Sequence, residues 1–234
     1  MKKIVVFSGA GMSAESGIST FRDSGGIWEK YKIEDVATPE AWCKNPDLVT
    51  EFYNQRRKQI IETKPNEAHE IIAELERKHK VIVITQNIDD LHERAGSTNV
   101  LHLHGNIRIS KSSGPNQEKE YYSINGWKLS QKDKCPDGFR LRPHVVWFGE
   151  EVPMYDKAIK EIESADIFIV IGTSLQVYPA AGLIHFTAEN AEKWIIDPNA
   201  TSYNVPKSFK RINKKATEGL QELRIILLDQ TTFF

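Results

Sequence analysis

His104 stands just before Gly105, at the end of the apolar stretch Val100-Leu101-His102-Leu103. An imidazole titrates near neutrality, so it can take a proton from a hydroxyl, and the glycine leaves space beside it. His102 is its nearest competitor: two residues away on an extended segment, it would face the same side. A second group is Gln86-Asn87-Ile88-Asp89, where two carboxamides and a carboxylate can pair with amides and hydroxyls. A third is Gly9-Ala10-Gly11-Met12-Ser13-Ala14. This G-x-G-x-x-A turn lets backbone approach a dinucleotide pyrophosphate, although a glycine turn after a strand is as readily purely structural. Finally, Tyr53 and Arg56 share an apolar stripe with Leu48, Val49, Phe52 and Ile60. Arg56 there needs a partner. Either an internal salt bridge or a snorkelling side chain serves it, or Tyr53 and Arg56 together await a ligand carboxylate.

These residues need a scaffold, and the chain is long enough to make one. Its 234 residues suit one domain, or one domain with an inserted lobe. Lys plus Arg is 31 and Asp plus Glu is 32, so the net charge of −1 supplies no global drive toward nucleic acid or an anionic membrane. Two cysteines, Cys43 and Cys135, make neither a disulfide framework nor a four-thiolate zinc site. The apolar run Ile4–Phe7 is too short for a signal-peptide core, and no run approaches the length of a membrane span. A soluble, cytoplasmic protein is expected.

Ile4–Phe7, Val81–Ile84, Ile167–Ile171 and Trp194–Ile196 read as strands buried on both faces. Helical patterns lie at Asn66–Lys78, Pro153–Ser164, Ala180–Asn190 and Thr217–Leu227, although Ile225–Leu228 also reads as an edge strand. A further helix starts at Asn45-Pro46-Asp47, ends before Pro65 and carries Tyr53 and Arg56. The alternation predicts an α/β fold: a Rossmann-like parallel sheet with helices on both faces. Residues 31–65 and 107–143 break the pattern and predict a smaller inserted lobe. The Rossmann-like lobe then comprises residues 1–30, 66–106 and 144–234. Ligands of such sheets lie beyond the strand C-termini, which here carry Gln86, Asn87, Asp89, Thr173, Ser174 and Asp197. Ser174 and Asp197 would serve equally well as helix caps.

The chain resembles the sirtuins, the NAD-dependent protein deacylases. The resemblance rests on five segments in order: Gly9-Ala10-Gly11-Met12-Ser13-Ala14-Glu15-Ser16-Gly17-Ile18 through Phe21-Arg22; Thr85-Gln86-Asn87-Ile88-Asp89; His104-Gly105; Val146-Trp147-Phe148-Gly149-Glu150; and Gly172-Thr173-Ser174-Leu175. It implies that NAD and an acyl-lysine are held together, that the acyl oxygen attacks the nicotinamide ribose carbon, and that His104 then serves as the base for a ribose hydroxyl. On that footing His104 and Asn87 are the catalytic pair. Gly9, Ala10, Gly11, Ser13, Ala14, Glu15, Ser16 and Gly17 of the turn, with Phe21, Arg22, Trp28, Gln86, Asn87, Ile88, Asp89, Gly172, Thr173, Ser174, Asp197 and Ala216, line the cofactor. Val146, Trp147, Phe148 and Gly149 form an extended segment that pairs with the substrate peptide. His104→Ala is expected to abolish activity and His102→Ala to leave most of it.

The same resemblance refines the substrate. Tyr53-x-x-Arg56 is similar to the subclass that removes malonyl, succinyl or glutaryl groups, and the small residues within Glu34–Pro39 look like it too. A desuccinylase/demalonylase that also accepts acetyl-lysine is expected. A mainly acetyl-lysine deacetylase and a protein mono-ADP-ribosyltransferase are the alternatives. One departure stands out. Most sirtuins bind structural zinc through two C-x-x-C pairs. Here Ser110 and Ser113 replace the first pair, and Cys135 faces Gly138 at its partner's place. No zinc is predicted, and Tyr121, Tyr122, Trp127, Phe139 and Leu141 are expected to hold the small lobe instead. The expected partners are acylated-lysine proteins, with neither nucleic acid nor membrane, and the chain is expected to act as a monomer.

Overall fold

The computed structural model describes residues 1–19 and 31–228. The apolar runs become the middle of a six-stranded, all-parallel sheet. Its strands are β1 (Lys3–Ser8), β2 (Lys80–Thr85), β3 (Val100–His102), β7 (Ile167–Ile171), β8 (Glu192–Ile196) and β9 (Phe209–Ile212), in the order β3-β2-β1-β7-β8-β9. Side chains alternate between faces along a strand, and both faces here are covered. On one face Ile4, Val6, Val83 and Ile169 meet α5 (Glu67–Leu75) and α8 (Ala216–Leu228). On the other, Val5, Phe7, Ile84 and Phe168 meet α7 (Tyr155–Glu163) and a 3-10 segment, Ala180–Phe186.

Two of the strands, β3 and β9, fall outside the apolar-run pattern. They have three and four residues and lie at the sheet edges, where one-sided burial blurs the signal. The α-helix expected over Ala180–Asn190 is instead the 3-10 turn, which ends at Phe186. Gly182 lies at its middle, and the contiguous residues Ala180, Ala181, Leu183 and Ile184 are all buried, which is not the one-sided burial of an amphipathic helix. The chain closes as helix α8, so Ile225–Leu228 is not an edge strand.

The second sheet is small and antiparallel, ordered β5-β4-β6, with β4 (Gly105–Ser112), β5 (Tyr121–Ser123) and β6 (Leu141–Val145). Short helices α2 (Ile33–Val36) and α3 (Pro39–Lys44) lead into the long α4 (Pro46–Glu62). Asn45 caps α4 by accepting the Leu48 amide at 3.0 Å, with Pro46 in the first turn, where a missing N–H costs nothing. Helix α4 buries Val49, Phe52, Tyr53 and Ile60 against Ile107, Val145 and Trp147.

The aromatic cushion expected for the small lobe is not what holds it. Tyr121, Trp127 and Phe139 are 40%, 39% and 45% exposed, and only Tyr122 and Leu141 join the local cluster with Ile124, Leu129 and Cys135. So small a cluster leaves the work to polar side chains of α4. Asn54 donates to the Leu129 carbonyl at 3.0 Å and accepts the Leu129 amide at 2.8 Å. Arg57, fully buried, donates to the Ile107 carbonyl at 2.6 Å, the Trp127 carbonyl at 2.9 Å and Asn54 Oδ1 at 2.7 Å. Ser110 donates to the Tyr122 carbonyl and the Cys135 thiol to Ser112. Among the described residues no group of three or more His, Cys, Asp or Glu is placed to hold a metal ion, and no helix is long and apolar enough to cross a membrane.

Candidate active site

Strand order reverses at β1, where β2 and β3 lie to one side and β7 to β9 to the other. The crevice at such a switch point is where open α/β sheets take ligands. The glycine turn after β1 passes into α1 (Gly11–Ala14) and lies back to back with the turn after β7. Gly9 N donates to the Ile171 carbonyl and Gly11 N to the Gly172 carbonyl. A Cβ on Gly11 would lie 2.9 Å from the Gly172 Cα, so the two turns approach this closely only as glycines.

Ser13, projecting from the first turn, ties the crevice together. Its hydroxyl donates to Asp89 Oδ2 and accepts from Asn87 Nδ2, both at 3.0 Å. Asn87 is held further by its amide, which donates to Thr85 Oγ1. The remaining Asp89 oxygen accepts the Leu91 amide at the start of α6 (Leu91–Arg94). Burial pushes the Asp89 carboxyl upward, against the pull of the Leu91 and Ser13 bonds. Gln86 Nε2 donates to Thr173 Oγ1 at 3.0 Å, which links the ends of β2 and β7. The Ile88 carbonyl accepts the Ile107 amide, joining the same loop to β4 of the small sheet. The structure thus brings Ser13, Gln86, Asn87, Asp89, Thr173 and the three turn glycines Gly9, Gly11 and Gly172 into one crevice.

His104 and His102 both aim at the end of β2 but are bound differently. His104 Nδ1 lies 2.9 Å from the Gln86 carbonyl. A carbonyl can only accept, so we assign the proton to Nδ1, which leaves the Nε2 lone pair available. Burial pushes its pKa below the ordinary histidine value, although the Gln86 bond opposes this, and the ring is neutral at pH 7. His102 uses both nitrogens, one on the Asn87 carbonyl and one on Glu93 Oε1 at 2.7 Å. Burial lowers its pKa, but Glu93, the Asn87 carbonyl and Asp89 together outweigh that and raise it. Of these two, only His104 combines a neutral ring with an uncommitted nitrogen. Beside it, Gly105 has a φ of +84°, and a Cβ there would collide with the His144 carbonyl, so only glycine lets β6 close against this strand.

Other expected site residues lie apart from this cluster or are otherwise engaged. Glu15 accepts the Thr217 amide at 2.9 Å and so caps the start of α8 rather than entering the crevice. The Ser16 hydroxyl accepts from Asn66. Asp197 Oδ1 accepts from the Asn199 amide and the Tyr203 hydroxyl, the capping pattern its residue type allows. Ala216 is buried as the first residue of α8, and Ser174 is half-buried beside Thr173. Ala10, Ala14 and Gly17 complete the turn around α1. Phe21, Arg22 and Trp28 lie outside the described residues.

The third group sits on α4. Tyr53 is 2% and Arg56 7% exposed. Burial pushes the Tyr53 hydroxyl up to about 12, against the pull of the Arg56 charge and the neighbouring Trp147 indole. Burial lowers the Arg56 pKa, and the charges of Tyr53 and Asp89 raise it again. Arg56 is therefore within reach of the charges of both Tyr53 and Asp89. Trp147 is 3% exposed and packs on Trp42, with ring centroids 5.8 Å apart. The Val146 amide donates to the His104 carbonyl, so this segment starts beside the histidine. Strand β6 ends at Val145, so the expected extended segment is not a strand: Val146 and Trp147 have no regular structure. Phe148 and Gly149 form a turn closed by the Glu150 amide on the Trp147 carbonyl, a bend that the positive φ of Gly149 (+92°) permits. Sequence reasoning passed over Trp42 and Arg142, which pack against this segment. The visible signal for Arg142 is a charge next to Leu141 in a short strand that also carries His144.

Comparison with known proteins follows this geometry. Residues 9–179 match the model of the Sir2 family. An NAD-dependent protein deacylase of Bacteroides thetaiotaomicron is 51% identical over 232 residues, covering 97% of this chain and 99% of that one. One from Helicobacter pylori is 47% identical, covering 99% of this chain and 98% of that one. Among solved structures, a Sir2 homolog–NAD complex superposes with a TM-score of 0.86 at 40% identity, covering 99% of this chain and 91% of that one. A Sir2 homologue bound to ADP-ribose gives a TM-score of 0.86 at 37% identity, covering 100% and 95%.

Proposed function

The chain belongs to the Sir2 family of NAD-dependent protein deacylases, and from that premise we propose that it prefers lysines whose acyl group ends in a carboxylate, succinyl or malonyl above acetyl. The observation that carries this is the burial of Tyr53 and Arg56 together, one turn apart on α4, with Arg56 close enough to Asp89 to feel its charge. A guanidinium fork and a phenol hydroxyl on the wall of the crevice form a charge-assisted site for a distal carboxylate.

The crevice suits NAD. The turn glycines admit backbone to a pyrophosphate, and Gln86, Asn87 and Asp89 present the donors and acceptors a ribose and a carboxamide need. Bound NAD supplies an activated glycosidic carbon and an ADP-ribose acceptor for the acyl group. His104 Nε2 takes the proton from a ribose hydroxyl, with its Nδ1 proton anchored on the Gln86 carbonyl. Asn87, braced by Ser13 and Thr85, orients the ribose. Val146 to Gly149 receives the peptide backbone as an added strand.

The test compares kcat/KM for matched succinyl-lysine and acetyl-lysine peptides in wild type and Arg56→Met. Wild type is expected to favour the succinyl peptide. The variant is expected to lose about 30-fold or more on that peptide, as for a buried charge left without its partner, and much less on the acetyl peptide. A wild type without preference, or a variant that keeps it, ends the proposal. Mass spectrometry of the products distinguishes O-acyl-ADP-ribose from ADP-ribosylated protein.

A further inference from the structure

Between β6 and the turn at Gly149, one ion pair is wrapped around one tryptophan. Arg142 and Glu150 meet through both arms of the fork, with Nη1 to Oε1 at 2.6 Å and Nη2 to Oε2 at 2.9 Å. The guanidinium carbon lies 3.3 Å from the centroid of the Trp147 ring. Glu150 Oε2 also accepts the Trp147 amide at 2.8 Å, and Arg142 Nη2 donates to the Val145 carbonyl at 2.8 Å. The pair therefore grips both ends of the segment Val145–Glu150 and the ring between them. Trp147 also packs on Trp42 and lies beside the Tyr53 side chain. Arg142 is 4% exposed, so the pair is largely shielded from the water and salt that weaken surface ion pairs.

We propose that Arg142 and Glu150 are positioning residues for the acylated peptide. They hold the Val146–Gly149 segment at the bend that receives peptide backbone, and they lock Trp147 as the wall shared by the peptide segment and the Tyr53 acyl pocket. The inference rests on the reading of Val146–Gly149 as the peptide-binding segment. Their hydrogen bonds run to each other, to Gln117 and to the backbone of Val145 and Trp147, none of them a residue of the crevice, so they act through the segment that they hold. A planar fork that chelates a carboxylate while stacking on an indole is a task lysine cannot perform, so charge alone does not restore it.

The test uses the full chain with Arg142→Lys and Glu150→Gln, each assayed with acetyl-lysine and succinyl-lysine peptides. Both variants are expected to raise the peptide KM by tenfold or more for both acyl groups, with kcat changed less than about threefold. NAD affinity, read by calorimetry, is expected to stay within twofold of wild type. Arg142→Lys must not rescue. An unchanged peptide KM in a folded variant overturns the proposal, and so does an equal loss of NAD affinity, which marks a merely structural pair. If Arg142→Lys fails to fold, Glu150→Gln, which keeps the side-chain shape, decides. The outcome separates from that of the acyl-group reading. Arg56→Met alters the ratio between the two peptides, whereas the clamp variants move both alike, so either result can fail without the other.

Discussion

His104→Ala is expected to lower NAD-dependent deacylation by about 10²- to 10⁴-fold, the usual weight of a positioned general base. The expectation rests on one nitrogen. Nδ1 is anchored on the Gln86 carbonyl, and Nε2 is the only ring nitrogen of the two neighbouring histidines left to accept a proton. The same geometry sets the pH response. Burial holds the His104 pKa below 6.5, so the base is already free at neutral pH. kcat/KM should be level above that value and fall about tenfold per unit once the pH drops below the lowered pKa. His102→Ala should cost far less, because it removes braces on the Asn87 carbonyl and on Glu93 and leaves the open nitrogen of His104 in place. Substantial turnover by the first variant, or an equal loss in the second, would refute the assignment.

Arg57→Met is expected to destabilise the protein by about 3–5 kcal/mol, the cost of taking the donor away from two carbonyls and the Asn54 side-chain oxygen. Burial and the nearby Arg108 push the Arg57 pKa down to about 10, so it remains a cation at neutrality. Its guanidinium holds the buried Ile107 carbonyl and the part-buried Trp127 carbonyl, and methionine would take this donor away from both. For a chain of this size the melting temperature should fall by roughly 10 °C. Urea unfolding checks the free energy. Because Arg57 braces the small sheet and not the crevice, NAD affinity below the transition should change little. A stability within about 1 kcal/mol of wild type would show that the local apolar cluster suffices by itself.

Arg56 and Arg57 show where sequence reading reaches its limit. Their spacing marked Arg56 as an arginine on an apolar face, and that reading held. Arg57, the next residue, carried no comparable signal, yet it is the more completely buried of the two. Helical periodicity describes one stripe, and α4 is enclosed by β4, β6 and the 127–129 loop on more than one side. The expected aromatic cushion failed for a related reason. Burial of Trp127 and Phe139 depends on which loop covers them, and that is a long-range fact.

The chain's local order was enough to indicate the parallel α/β architecture, because continuous apolar runs need burial on both faces and helical patterns alternate with them along the chain. It was also enough to mark the glycine turn, the Gln86–Asp89 group and His104 as the polar ends of those runs. What only the tertiary structure decided was which polar group is committed and which is free. It gave Glu15 and Asp197 to helix and turn capping, tied His102 to Glu93, left Nε2 of His104 open and closed Arg142 on Glu150 around Trp147. Most of those choices turn on hydrogen bonds between residues separated in the chain: Glu15 with Thr217, His102 with Glu93, and Arg142 with Glu150. Such bonds depend on register and approach to within a few tenths of an ångström, which residue type and spacing do not encode.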